Sequence, residues 1–156
     1  MKRLLPLALL VLGAGCGGSG TATTAAPAPA ASSAPAAEAT ALPALKKVAL
    51  EGGSRVVFTF SRRVAHARTR PVEAFYADAS GRPVAVKGKA LLVVRFEPAR
   101  MHAYSGPTRI EGHGPVVEVV AGGDFEGLVT WAIGLDRTRA YTVTRSGAKV
   151  VLRIGR

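Results

Sequence analysis

The stretch Gly122-Gly123-Asp124-Phe125-Glu126-Gly127-Leu128-Val129-Thr130-Trp131-Ala132-Ile133-Gly134-Leu135-Asp136 decides the architecture of the chain. From Val129 onward, Val129, Trp131, Ile133 and Leu135 fall on one face, and Leu128, Thr130, Ala132 and Gly134 fall on the other. A period of two marks a strand, because successive side chains point to opposite sides of a sheet. Trp131 is the only tryptophan. Its ring offers the largest area for burial, so it is expected mostly buried between two sheets, with Phe58 and Phe60 or Val94 and Phe96 as neighbours. The competing reading places Trp131 in an open binding groove. Ala132 and Gly134 keep the second face shallow enough for another backbone or a ligand to approach. Gly122-Gly123-Asp124 reads as the turn that opens the strand.

The same alternation recurs on both sides of this stretch. Val48 and Leu50 begin it, and Val56, Phe58 and Phe60 alternate with Arg55, Val57 and Thr59. Residues 72–77 and 84–87 read as short strands around a Ser80-Gly81 turn. Leu92, Val94 and Phe96 alternate with Leu91, Val93 and Arg95, and residues 116–120 are valine-rich around Glu118. Tyr141 and Val143 lead to a Ser146-Gly147 turn, after which Val150, Leu152 and Ile154 close the chain. No helical period runs beyond two turns. Closely spaced strands with Gly and Pro turns predict an all-β sandwich, a single domain over residues 45–156. All nine aromatic residues lie inside it, which supplies a core. Residues 98–114 are less regular and read as a long ordered loop, a place where function often resides.

The N-terminus has a different character. Lys2 and Arg3 precede a short apolar run over residues 4–12, followed by Gly13-Ala14-Gly15-Cys16. A basic start, a short apolar stretch and small residues before a cut site describe an export signal over residues 1–15. The run is too short to span a bilayer. Its end resembles the bacterial lipobox, in which cleavage leaves a lipidated Cys, here Cys16, as the new N-terminus. Cys16 is the only cysteine, so no intramolecular disulfide can form. Residues 17–44 are almost entirely Ala, Pro, Ser, Thr and Gly, a composition that cannot bury a core and reads as a disordered spacer. The expected product is an extracytoplasmic lipoprotein held to the cell membrane through Cys16, with residues 16–44 as its tether.

The chain is strongly basic, with 21 Lys and Arg against 10 Asp and Glu. Setting aside Lys2, Arg3 and Glu38 leaves a net +10 on residues 45–156. The densest run is Arg62-Arg63-Val64-Ala65-His66-Ala67-Arg68-Thr69-Arg70, read as a basic loop. Arg62, Arg63, Arg68 and Arg70 are the candidate contacts for anionic polymers, since guanidinium groups bind phosphate and carboxylate through paired hydrogen bonds. Nucleic acid is not expected as a partner of an exported chain. Lipid head groups, wall phosphopolymers and peptidoglycan carboxylates are the remaining anions.

Signs of chemistry are sparse. His66, His102 and His113 lack metal-ligand spacing, and there is no Gly-x-Ser-x-Gly. No metal, no cofactor and no catalytic residue is therefore expected. Asp124 and Glu126, two residues apart beside a glycine pair, form an alternative binding turn. Otherwise Asp124 bonds the backbone of its own turn and Glu126 faces solvent or an Arg.

Arg55-Val56-Val57-Phe58-Thr59-Phe60, Gly81-Arg82-Pro83-Val84, residues 92–96 with Pro98-Ala99, and above all Gly123-Asp124-Phe125-Glu126-Gly127…Thr130-Trp131…Gly134-Leu135-Asp136 resemble the AMIN-like domain. That family occurs in actinobacterial lipoproteins and secreted proteins. It is named for likeness to the amidase N-terminal (AMIN) domain, a β-sandwich associated with peptidoglycan binding. The resemblance implies a sandwich in the cell envelope and, by analogy, a non-catalytic module that binds peptidoglycan or associated anionic polymers. Two alternatives stand beside it. One is an envelope adaptor that binds a protein partner through a sheet edge. The other is a wall-acting hydrolase working through Asp124, Glu126 or a histidine.

Overall fold

The computed structural model describes residues 41–155. The expected export signal, Cys16 and the expected spacer as far as residue 40 lie outside them, while Pro43 and Ala44, read as the end of that spacer, are buried and Ala44 bridges to Arg100. Nine strands follow in order: β1 Leu45–Glu51, β2 Arg55–Phe60, β3 His66–Val72, β4 Ala90–Glu97, β5 Arg109–Glu111, β6 Val116–Phe125, β7 Leu128–Leu135, β8 Tyr141–Ser146 and β9 Lys149–Ile154. They form a four-stranded sheet in the order β1-β2-β9-β8 and a five-stranded sheet in the order β3-β4-β7-β6-β5. Every pairing between these strands is antiparallel. Among the described residues the fold is all-β.

The period-two residues of both sheets meet in one core. Val56, Phe58 and Phe60 of β2 and Val150, Leu152 and Ile154 of β9 face Leu92, Val94 and Phe96 of β4 and Val129, Trp131, Ile133 and Leu135 of β7. Trp131 is fully buried, with Val94 as its cross-strand partner. The Phe58 ring meets it edge-on at 6.0 Å, and the Tyr104 ring does so at 5.7 Å. Phe96 packs on Phe58 and Phe60 at 4.8 and 4.9 Å. Tilted and edge-to-face contacts set positive ring edges against negative ring faces, which adds to the area term. The reading of Trp131 as part of an open groove is thereby excluded.

Three local expectations need correction. The Gly122-Gly123-Asp124 turn is strand, the end of β6, where a bulge between Ala121 and Gly123 shifts the register. A Cβ on Gly122 would lie 2.4 Å from the Phe75 ring, so the glycine serves close packing. The turn itself is Glu126-Gly127, with φ of 51° and 80° between the paired Phe125 and Leu128. Two left-handed residues in a two-residue hairpin match the right-handed twist of the strands. Second, apart from Val72, the last residue of β3, residues 72–77 and 84–87 belong to none of the strands. The strand lies earlier, at β3, where the inward positions are the small Ala67 and Thr69 and the apolar alternation is faint. Third, the loop 98–114 contains a strand, β5. Its first part is pinned by buried Ala99 and by the Met101 N–H donating to Asp124 Oδ2 at 2.6 Å.

Residues 73–89 join the neighbouring strands β3 and β4, yet they do not make a tight turn. They run as a strap across the outer face of the five-stranded sheet. Phe75 packs with Val93 and Ala132, supported by Val72, Val84 and Val86. The Lys89 N–H bonds the Leu135 carbonyl at 2.7 Å, and the Asp78 N–H bonds the Gly122 carbonyl at 3.3 Å. Gly134 sits beneath the strap, where a Cβ would fall 1.8 Å from the Lys87 carbonyl oxygen. The close backbone approach that Ala132 and Gly134 foretold is this one.

The core makes a direct prediction. Trp131→Ala removes the largest fully buried side chain and is expected to destabilise the fold by about 3–5 kcal/mol. Urea unfolding followed by circular dichroism measures it, and an unchanged midpoint would contradict the packing described.

Candidate functional site

The strap covers only part of the outer face of the five-stranded sheet. The rest is an open groove, and strand register fixes what lines it. Outward residues stack in rows across neighbouring strands. Arg68 of β3 pairs with Arg95 of β4, which pairs with Thr130 of β7, which pairs with Gly123 of β6. One step along, Arg70 pairs with Val93, and Val93 with Ala132. At the other end His66 pairs with Glu97. The groove encloses about 530 Å³ and is lined by His66, Arg68, Thr69, Arg70, Val93, Arg95, Glu97 and Leu128. Its floor is apolar at Val93 and Leu128, and its charge comes from three guanidinium groups and one carboxylate.

Arg68 and Arg95 stand directly opposite each other, and like charges in that position repel. Among the described residues, Arg68, Arg70 and Arg95 have no ion-pair or hydrogen-bond partner. Thr130, in the same row, is buried and its Oγ1 is unpartnered among the described residues. Three unneutralised cations converging on a groove can hold an oxyanion through charge-assisted, paired hydrogen bonds.

Charged groups elsewhere on this sheet are engaged. Glu118, fully buried on β6, accepts the Lys87 N–H at 2.8 Å and pairs with Arg109 at 2.6 Å. Burial works against its ionisation, but those two partners outweigh it and hold the carboxyl below its ordinary range. Glu118 thus ties the strap down. At the far end of β7, the Arg139 guanidinium donates two hydrogen bonds of 2.7 Å to Asp136. They hold its carboxyl down to about 2.

The sequence candidates separate. Arg68 and Arg70 line the groove, on a strand and not on a loop. Arg62, half-buried, and Arg63, exposed, precede β3 and do not line it. Arg95, His66 and Glu97 join the site without having been singled out for it. The alternation of β4 placed Arg95 on the outer face, but which strand lies beside it is a matter of topology. Asp124 and Glu126 do not act together. Asp124 bonds the Met101 backbone and not its own turn, while Glu126 is exposed at the hairpin tip. Among the described residues no three His, Cys, Asp or Glu side chains cluster so as to hold a metal ion.

The edge strand β3 that carries Arg68 and Arg70 is closed to pairing over much of its length. Tyr141 Oη donates to the Thr69 carbonyl at 3.1 Å, and Arg145 Nη1 donates to the Ala65 carbonyl at 2.8 Å. Pro71 has no N–H to offer. This edge is blocked in the way natural sheets avoid adding strands.

No curated protein and no solved structure matches the chain. The pattern of the AMIN-like domain matches residues 25–154, which takes in all nine strands and every residue of the groove. The chain belongs to the AMIN-like domain family.

Proposed function

We propose that this chain is a non-catalytic envelope protein whose groove binds peptidoglycan or the anionic polymers attached to it. Family membership supports a wall-related binding role. The observation that carries the finer reading is the convergence of Arg68, Arg70 and Arg95, without partners among the described residues, around an apolar floor. Wall polymers present carboxylates and phosphates on sugar or peptide carbon skeletons. The guanidinium groups fit the first and Val93 with Leu128 the second. Arg62 and Arg63, just before β3, add positive potential near the groove without forming it.

The location is part of the same proposal. Cleavage before Cys16 and its lipidation anchor the chain to the membrane, and the spacer ahead of the packed Pro43 and Ala44 lets the sandwich reach the wall above. A tethered binder meets its ligand at high local concentration, so modest affinity suffices. Labelled fatty acid is expected to enter the wild-type chain and not the Cys16→Ala variant. A wild-type chain that takes up no label would remove the anchor.

The groove is tested by co-sedimentation with isolated wall sacculi across a salt series. Exposed charges are screened over ~10 Å at 0.1 M salt and ~3 Å at 1 M, so binding is expected to fall steeply with salt. Replacing Arg68, Arg70 and Arg95 with Ser is expected to weaken it at least about tenfold, the scale of one charged hydrogen bond lost. Arg62→Ser with Arg63→Ser is expected to have a smaller effect. Glu126→Gln should leave binding unchanged or slightly stronger. If the groove variant binds like wild type while Glu126→Gln loses binding, recognition lies at the Glu126-Gly127 turn.

A further inference from the structure

The outer face of the four-stranded sheet is a second basic surface, and it looks away from the groove. Its residues also stack in rows. Glu51, Arg55, Arg153 and Thr142 form one row, and Lys47, Thr59, Lys149 and Ser146 form another. Between them lies a row of short side chains, Ala49, Val57, Val151 and Thr144. The face carries four cations against one carboxylate. Glu51 pairs with Arg55 at 3.4 Å, while Lys47, Lys149 and Arg153 have no partner among the described residues.

This surface differs from the groove in the way its charge is laid out. Arg68 and Arg95 are cross-strand neighbours about 5 Å apart, a spacing that suits one oxyanion. On the four-stranded sheet the two charged rows are four residues apart along β2, about 13 Å, and each is spread over several strands. No single small anion reaches across that distance. A plane of negative groups does. Lysine, a compact charge on a flexible stem, suits such a diffuse surface, whereas the groove uses only the rigid fork of arginine. The two exposed large apolar side chains among the described residues, Tyr76 and Phe125, belong to the strap and the β6–β7 hairpin of the other sheet. Nothing on this face would insert into a hydrocarbon layer, so contact would be electrostatic.

We infer that the face bearing Lys47, Lys149 and Arg153 docks on the anionic head groups of a bilayer, leaving the arginine groove turned away from it. The sandwich then stands between two negative surfaces, with one basic face for each. The docking does not depend on the groove's ligand.

Vesicles of phosphatidylglycerol mixed with phosphatidylcholine, and vesicles of phosphatidylcholine alone, are the probes. The full chain carrying Cys16→Ala removes any contribution from an acyl group. Each basic side chain at an anionic bilayer favours partition about fivefold, so Lys47→Gln, Lys149→Gln and Arg153→Gln together are expected to lower partition onto the anionic vesicles about 100-fold. Arg68→Gln with Arg95→Gln, on the opposite face, is expected to change it by less than about fivefold. Neither set touches the core, and unchanged Trp131 emission verifies that both variants are folded. Equal partition onto the two vesicle types overturns the inference, and so does a triple variant that partitions like its parent. If the triple variant loses sacculus binding but keeps vesicle binding, the face belongs to the wall and the inference is wrong. Loss of sacculus binding in the groove variant alone would test only the proposed function.

Discussion

Gly134 has no room for a side chain, and much of the molecule follows from that. Its neighbours Trp131, Ile133 and Leu135 pack inward, so β7 already has one face in the sandwich core. The Lys87 carbonyl then lies over Gly134 on the other face, and Phe75 covers Ala132. A strand buried on both sides becomes the rigid centre of its sheet. The strap that buries it is held by backbone bonds to Leu135 and Gly122 and by Glu118, whose carboxylate stays ionised because Lys87 and Arg109 meet it. Phe75, nearly fully buried, adds roughly 1.5–3 kcal/mol of area burial to that hold.

The reach of the strap also explains why a groove exists. Residues 73–89 protect the parts of β6 and β7 near Gly122, Ala132 and Gly134, and leave the β3–β4 side uncovered. The uncovered part is where Arg68, Arg70 and Arg95 gather. Concentrating like charge on a folded surface opposes the compact state. A chain of net +11 has few acidic residues for neutralising such a cluster, and in this fold several of them are used elsewhere. Glu118 secures the strap, Asp136 holds Arg139, Glu111 pairs with Lys87, and Asp124 fixes the loop after β4. Glu97 is the one carboxylate in the groove lining, so its three guanidinium groups keep the field positive.

The sandwich was legible in the sequence wherever one face was apolar and the other polar. β2, β4, β7 and β9 show that alternation plainly, and Trp131 sits where its period placed it. β3 was hidden because an edge strand with Ala67 and Thr69 inward and arginines outward has little apolar contrast. The strap was misread as strands because Phe75, Val84 and Val86 are β-favouring residues that pack on the sheet without belonging to its strands. Two of the three groove arginines, Arg68 and Arg70, could be read from the run at 62–70. The third, Arg95, depended on register between β3 and β4. Long-range pairing of that kind is set by the whole fold and leaves no mark in local spacing. Asp124 shows the same limit, since its partner Met101 lies 23 residues away.

The central claim is that the uncovered β3–β4 side of the five-stranded sheet is the recognition surface for wall polymers. Amide chemical-shift mapping of the chain titrated with soluble peptidoglycan fragments tests it most directly. The account predicts shifts at Arg68, Arg70, Val93, Arg95 and Leu128, with Arg55, Lys149 and Arg153 on the opposite face unmoved. Shifts confined to the four-stranded sheet, or to the Glu126-Gly127 turn, would contradict it.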